Sequence, residues 1–281
     1  MSQSYTLRST EEADRGQLSA LLQTAGWRHQ HSDWFHPLDL LGRMPSVLAF
    51  DRQLPVGWLA CPPDPPEIAW IRGFAVARGV NLSSLWDRLW NSVADEAHSM
   101  GANTSAALLI SEWLEPLLKG SGFSQTNNVI FLEWKLENHP EIHVSSNLIR
   151  PLLKTDLDAV AQIDKKSFLP VWSHSREMLG EALDHASLAT VFEKDDRIVG
   201  YQLSTLSALG AHIARLAVDP EWQGRGIGKH LIADILETLS QKGVDRITVN
   251  TQADNPRSRS LYQGLGFIET GQVYPLFECV L

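Results

Sequence analysis

The stretch from Leu216 to Lys229 holds the residue pattern best suited to chemistry. A short apolar run, Leu216-Ala217-Val218, ends at Asp219-Pro220. Proline has no N–H to give to a strand ladder, so a strand must stop there. Gly224, Gly226 and Gly228 follow at alternate positions, and Ile227, Leu231, Ile232, Ile235, Leu236 and Leu239 then recur at helical spacing. The order is therefore strand, glycine loop, helix start. A first helical turn leaves backbone N–H groups unpaired, and glycines let a ligand approach the main chain closely, so the site suits phosphate oxygens. Two familiar phosphate loops are excluded. Lys229 stands where the dinucleotide fingerprint needs its third glycine, and Gln223 and His230 stand where a P-loop needs a glycine and a Ser or Thr. What remains is Gln223-x-x-Gly226-x-Gly228.

A second constellation follows. Asp245 to Thr251 alternates as a strand, with Ile247 and Val249 on one side. Asn255 is a good helix cap and Pro256 suits the first helical position. The helix carries Ser258, Leu261 and Tyr262 and ends at Gly264-Leu265-Gly266-Phe267. The pattern Asn255-x-x-Ser258-x-x-Leu261-Tyr262-x-x-x-Gly266-Phe267, together with the glycine loop before it, resembles the two signatures of the GCN5-related N-acetyltransferase (GNAT) superfamily. The resemblance is close over residues 147–281 and holds only in outline over 1–137.

The resemblance implies acetyl-coenzyme A as cosubstrate and an amine, on a small molecule or a polypeptide, as acyl acceptor. It implies that the backbone of Leu216, Ala217 and Val218 binds the pantetheine arm and the acyl carbonyl. Gln223, Gly224, Arg225, Gly226, Ile227, Gly228 and Lys229 are implied to bind the diphosphate. Asn255 is implied to reach the pantetheine or thioester, besides capping its helix. Tyr262 is implied as the general acid, because a phenol with an ordinary pKa of roughly 10 can protonate a departing thiolate; packing under the Gly-Phe turn is its alternative role. The base is less defined. Asp164 to Ser173 and Tyr274-Pro275 look like the substrate segments of ribosomal-protein N-terminal alanine acetyltransferases, but Asn250 stands where that subfamily has a basic glutamate. His212 is the leading candidate, acting directly or through water, with Asp164 and Asp254 behind it.

The elements around these residues repeat. Arg8 and Arg150, Ala75-Val76 and Ala217-Val218, and Gly101 and Gly243 are each 142 apart; Gly57 and Gly200 are 143 apart; Gly122-Phe123 and Gly266-Phe267 are 144 apart. A near-constant offset reads as a tandem duplication. The predicted fold class is α/β: two tandem GNAT-like domains, residues 1–138 and 139–281, each a mixed, mostly antiparallel sheet flanked by helices. The first copy is degenerate. Asn81, Ser84 and Trp86 occupy the places of Gln223, Gly226 and Gly228, and Leu118 the place of Tyr262. It is expected not to be catalytic. Its eight tryptophans favour packing, and the Pro62 to Pro66 run reads as a stiff connection between strands.

The formal net charge of -9 argues against a nucleic-acid footprint. No apolar run is long enough to span a bilayer, and the first residues lack signal-peptide character. Two cysteines, Cys61 and Cys279, make no disulfide framework, so a cytoplasmic setting is expected. His29, His31 and His36 lack partners at metal-site spacing, and no metal is expected. A homo-oligomer is left open. A different class of function, a non-catalytic acyl-coenzyme A binding module with a regulatory role, is the competing expectation.

Overall fold

The computed structural model describes residues 5–31, 34–136 and 148–281. The expected boundary at Asn138-His139-Pro140 lies outside them. The chain forms two compact units: one contains the chain up to Thr126 together with Tyr274–Leu281, the other runs from Asn127 to Val273. The division therefore does not fall at residue 138.

In the first unit, β1 (Thr6–Ser9), β3 (Ser46–Asp51), β4 (Leu54–Ala60), β6 (Gly73–Ala77) and β2 (Ala25–Gln30) pair in that order. A short β5 (Ile68–Trp70) runs parallel to β7 (Thr104–Leu108). The helices are α1 (Arg15–Thr24), α2 (Leu82–Ser99) and α3 (Glu115–Gly120). Asn81 caps α2 by accepting from the Ser84 N–H at 2.9 Å. The apolar stripe of α2 packs Trp86 and Trp90 in parallel, with ring centroids 5.9 Å apart, and Trp86 is 1% exposed.

The second unit contains β9 (Ile149–Pro151), β10 (Leu188–Lys194), β11 (Arg197–Ser207) and β12 (Gly210–Val218), paired antiparallel in that order. Strand β12 then runs parallel to β13 (Arg246–Gln252), which pairs antiparallel with Val129–Lys135 of β8 (Ser124–Lys135). The helices are α4 (Leu157–Ser167), α5 (Arg176–His185), α6 (Ile227–Gln241) and α7 (Pro256–Gln263). Every α6 residue that set the helical period, from Ile227 to Leu239, is buried; Ile232, Ile235 and Leu236 pack with Leu132, Trp134, Ile247 and Val249.

The shift from the expected boundary has a simple cause in the strands. The last strand of the first repeat, β8, completes the second unit beside β13. The end of β14 (Ile268–Val280) pairs with β7 in the first unit, Leu276–Val280 against Leu108–Thr104. Turn and helix patterns in sequence are local, whereas the choice of strand partner is not. A protein cut at residue 138 is accordingly expected to give two poorly soluble halves, because residues 139–281 leave the β13 edge unpaired. Co-expression of the halves should restore soluble protein; an isolated, monomeric and cooperatively folded 139–281 fragment would contradict this strand assignment.

Candidate active site

Strands β12 and β13 pair only through Ala211–Ile213 and Ile247–Val249, and then part. A bulge begins at the same point: Leu203 faces Arg215 and Ser204 faces Ile213, so Ala214 is the extra residue. A bulge bends its strand and re-aims the side chains that follow. Beyond it, Leu216, Ala217 and Val218 line one wall of a cavity of about 420 Å³, and Asn250, Thr251 and Gln252 of β13 line the facing wall. The backbone edge of β12 is thus open to a ligand that can hydrogen-bond like a strand.

The glycine loop closes one end. After a 3-10 turn at Pro220–Trp222, Gly224 and Gly226 adopt left-handed conformations with φ of 78° and 81°. Gly226 is the N-cap of α6. Only glycine takes such φ values without strain, and the turn leaves the first N–H groups of α6 facing outward. A Cβ on Gly228 would meet Leu261 at 3.1 Å, so the third glycine lets α6 approach α7. Gln223 holds the loop to its strand, its Nε2 donating to Val218 O at 2.9 Å, and Arg257 of α7 donates to Gln223 Oε1. Lys229 and Arg257 also line the cavity, which supplies cations beside the free N–H groups. These features fit a diphosphate. Arg225 does not line the cavity; its guanidinium lies 4.7 Å from the Trp222 ring centroid.

Tyr262 lines the same cavity although it is only 5% exposed. Its ring packs edge-on against Phe267, centroids 5.4 Å apart, so the packing role expected under the Gly-Phe turn is present. Burial pushes the phenol well above its usual pKa, opposed by a hydrogen bond with Ser258. The phenol is therefore fully protonated at neutral pH. Asn255 caps α7, accepting from the Ser258 N–H at 3.0 Å, and also lines the cavity.

His212 is placed differently from the direct role allowed in the sequence. It does not line the cavity. Its Nδ1 lies 2.9 Å from Thr248 Oγ1. The Thr248 hydroxyl donates to Ala211 O at 3.2 Å, so the imidazole Nδ1 donates to Thr248. Burial holds the imidazole below its usual pKa, opposed by a hydrogen bond with Asn250; it is neutral at pH 7. Asn250 does line the cavity and connects the two. Asp164 is fully buried and fully engaged: Arg215 Nε and Nη2 donate to it at 2.7 and 2.8 Å, the His174 N–H donates at 2.8 Å, and Tyr201 OH also donates. It is not available to an acceptor amine. Asp254 accepts from Asn127 Nδ2 at 3.1 Å outside the cavity wall. Among the described residues, no Asp, Glu or His side chain lines the cavity.

Sequence reasoning missed the Asp164–Arg215 pair, the Ala214 bulge and Arg257. The pair had a signal. Asp164 falls in the apolar phase of α4 with Val160 and Ile163, and Arg215 interrupts a strand that is otherwise apolar from Ile213 to Val218. A charge in the core phase of two elements asks for a buried partner. The described residues hold no group of three or more potential metal ligands, and none of their helices is long and apolar enough to cross a membrane.

Residues 157–267 match the model of the acetyltransferase (GNAT) family. The ribosomal protein bS18-alanine N-acetyltransferase of Salmonella typhimurium is 29% identical over 123 residues, 44% of this chain and 82% of that protein. A mycothiol acetyltransferase of Beutenbergia cavernae is 40% identical over 65 residues, 23% of this chain and 22% of that protein. Among solved structures, a tandem GNAT protein from the clavulanic acid biosynthesis pathway superposes with a TM-score of 0.68 at 14% identity, covering 99% of this chain and 98% of that one. A putative acetyltransferase from Pyrococcus horikoshii superposes with a TM-score of 0.66 at 14% identity, covering 100% of this chain and 91% of that one. At such identities the structures speak for the fold alone.

Proposed function

We propose, from the match of residues 157–267 to the acetyltransferase (GNAT) family, that the second unit moves an acetyl group from acetyl-coenzyme A to a weakly basic amine. One observation carries the reading: strands β12 and β13 part above a left-handed glycine loop, and the same cavity holds Tyr262. The pantetheine lies along Leu216–Val218, and the diphosphate sits on the N–H groups at Gly224–Lys229. The neutral amine attacks the thioester carbonyl, and a C–N bond forms. Backbone N–H groups of β12 stabilise the tetrahedral oxyanion. The C–S bond then breaks, and Tyr262 gives its proton to the sulfur while the amine proton leaves through the cavity. The phenolate is reprotonated from that pool.

The absence of a carboxylate or imidazole from the described cavity wall bears on the acceptor. With no base in contact, the amine has to arrive largely neutral. An α-amine with a pKa near 8 is neutral at pH 7 in about one molecule in ten, a lysine amine near 10.4 in fewer than about one in a thousand. The acceptor is accordingly an α-amine of a peptide or small molecule, or another amine of similar basicity. A panel of peptides, lysine side-chain mimics and small α-amines, read by mass spectrometry, tests this at pH 7. Turnover should rise as amine basicity falls. Preference for lysine mimics would contradict the acceptor class, and coenzyme A binding without any modified amine would favour the non-catalytic module.

His212 is then a positioning residue: it holds the Asn250 carboxamide by a hydrogen bond and does not itself take the amine proton. Its depressed pKa keeps it neutral at working pH, and protonation on acidification removes its ability to accept. Rate should thus be full above the ordinary histidine value and fall in acid. His212→Gln is expected to flatten that acid limb and to lower kcat on the order of tenfold, at or below the low end of general-base effects because the contact is indirect. Superimposable pH–rate profiles would assign His212 a purely structural role.

A further inference from the structure

The two repeats can be aligned by strand register as well as by sequence, and the alignment isolates one difference. Gly57 faces Val76, Trp58 faces Ala75, and Ala60 faces Gly73 in the first unit. Gly200 faces Val218, Tyr201 faces Ala217, and Leu203 faces Arg215 in the second. Trp58 therefore corresponds to Tyr201, and Gly73 to Arg215. On the helices, buried Leu18 and Leu21 correspond to buried Val160 and Ile163, which makes Leu22 the counterpart of Asp164. The ion pairs Arg8–Asp14 and Arg150–Asp156 occupy matching places and fix the same register.

The buried trio Asp164, Tyr201 and Arg215 is thus Leu22, Trp58 and Gly73 in the first copy. Trp58 is fully buried, and a Cβ on Gly73 would lie 2.2 Å from its Cη2. The indole fills the room that the Arg215 side chain takes in the second copy. The same fold stands in both units, so it does not require the polar trio. A buried ion pair is often replaced by apolar residues without loss of stability.

What changes with the trio is the segment after the first helix. In the first unit, residues 25–30 form β2, paired antiparallel along Gly73–Ala77. That is the edge corresponding to Arg215–Val218, and in the first unit it is closed by the chain itself. In the second unit the matching segment, Ser167–Ser173, forms no strand ladder with β12; Ser167 touches its end, with Oγ donating to Val218 O at 3.1 Å. Arg215 Nη2 donates to Trp172 O at 2.6 Å, the Arg215 guanidinium lies 3.7 Å from the Phe168 ring centroid, and Asp164 accepts from the His174 N–H. Phe168 and Trp172 instead line the cavity.

We infer that the Asp164–Arg215 pair is a positioning device that holds segment Phe168–Ser173 away from the open edge of β12, so that a thioester cofactor can occupy it. The inference rests on the acetyl-coenzyme A reading above. Without the pair the segment closes on β12 as β2 closes on β6, and cofactor binding has to reopen it.

The test uses the full chain, coenzyme A as probe, and Asp164→Leu/Arg215→Met, which removes both charges together. Thermal unfolding should stay near that of the unaltered protein. If the closed form is populated in about nine molecules of ten, the apparent Kd for coenzyme A rises about tenfold. Amides of Phe168–Ser173 should gain hydrogen-exchange protection without coenzyme A and lose that gain when it is bound, a response that a merely structural pair would not give. Equal affinity, or weaker binding without added protection in this segment, overturns the inference. Should the double variant fail to fold, Arg215→Lys keeps the charge against Asp164 but not the reach to Trp172. It should show the same two changes to a smaller degree, and the absence of either overturns the inference. Coenzyme A binding by neither the unaltered protein nor the variants contradicts the acetyl-coenzyme A reading itself and is distinguishable from failure of this one.

Discussion

Gly226→Trp is expected to abolish coenzyme A binding while the protein stays folded. Gly226 caps α6 at φ 81°, and a Cβ built there meets only the His230 ring, at 3.7 Å. The fold therefore bears the left-handed strain of a non-glycine residue, about 1–2 kcal/mol, and no backbone clash. An indole at this point instead covers the first N–H groups of the helix. Charge-assisted hydrogen bonds contribute about 1.5–3 kcal/mol each, so losing two of them weakens binding by about a hundredfold or more. The first repeat has carried out a related substitution. Its α2 carries Ser84 and Trp86 in its first two turns in place of the glycines, and Trp86 is buried with its Nε1 donating to Ser121 Oγ at 2.8 Å. Calorimetry of the variant with coenzyme A is the check, and an unchanged Kd would refute the loop assignment.

Tyr262→Phe is expected to lower kcat about 10²- to 10⁴-fold, the usual span for loss of a positioned acid. Coenzyme A affinity should hold, because the ring remains against Phe267 and only the hydroxyl is lost. Stability should fall by about 1 kcal/mol, the net worth of its hydrogen bond with Ser258. The raised pKa of Tyr262 adds a sign to the pH profile. A phenol held above its usual value keeps its proton through alkaline pH, so the unaltered protein should not lose rate as pH rises through 10 by ionisation of this group. A thioester with a more acidic leaving thiol needs less protonation and should recover rate in the variant. Equal turnover of the two proteins would reduce Tyr262 to packing.

The parts of this account that were legible in the sequence were local. Pro220 stops β12 after Val218, Gly226 begins α6, and Asn255 caps α7, each because one residue type has one strong backbone preference. The duplication was legible because both copies kept the same turn residues. The exchange of β8 and the end of β14 was not, since any apolar strand can satisfy either edge. Strand β2 was missed for a related reason: Trp27-Arg28-His29-Gln30 has weak alternation, and only tertiary pairing with β6 makes it a strand. The Asp164–Arg215 pair spans 51 residues and two elements, so its only trace in the sequence is a charge in the apolar phase of each element, which does not name the partner. The distance between His212 and the cavity turned on the bulge at Ala214, which sequence periodicity does not register.

The central claim is that the parted strands of the second unit receive acetyl-coenzyme A. A crystal structure of the protein soaked with coenzyme A tests it most directly. The expected density runs along Leu216–Val218, places the diphosphate on the Gly224–Lys229 backbone and brings the sulfur within hydrogen-bonding reach of the Tyr262 hydroxyl. Density in the tryptophan-rich first unit instead, or none in the split between β12 and β13 under saturating ligand, would contradict it.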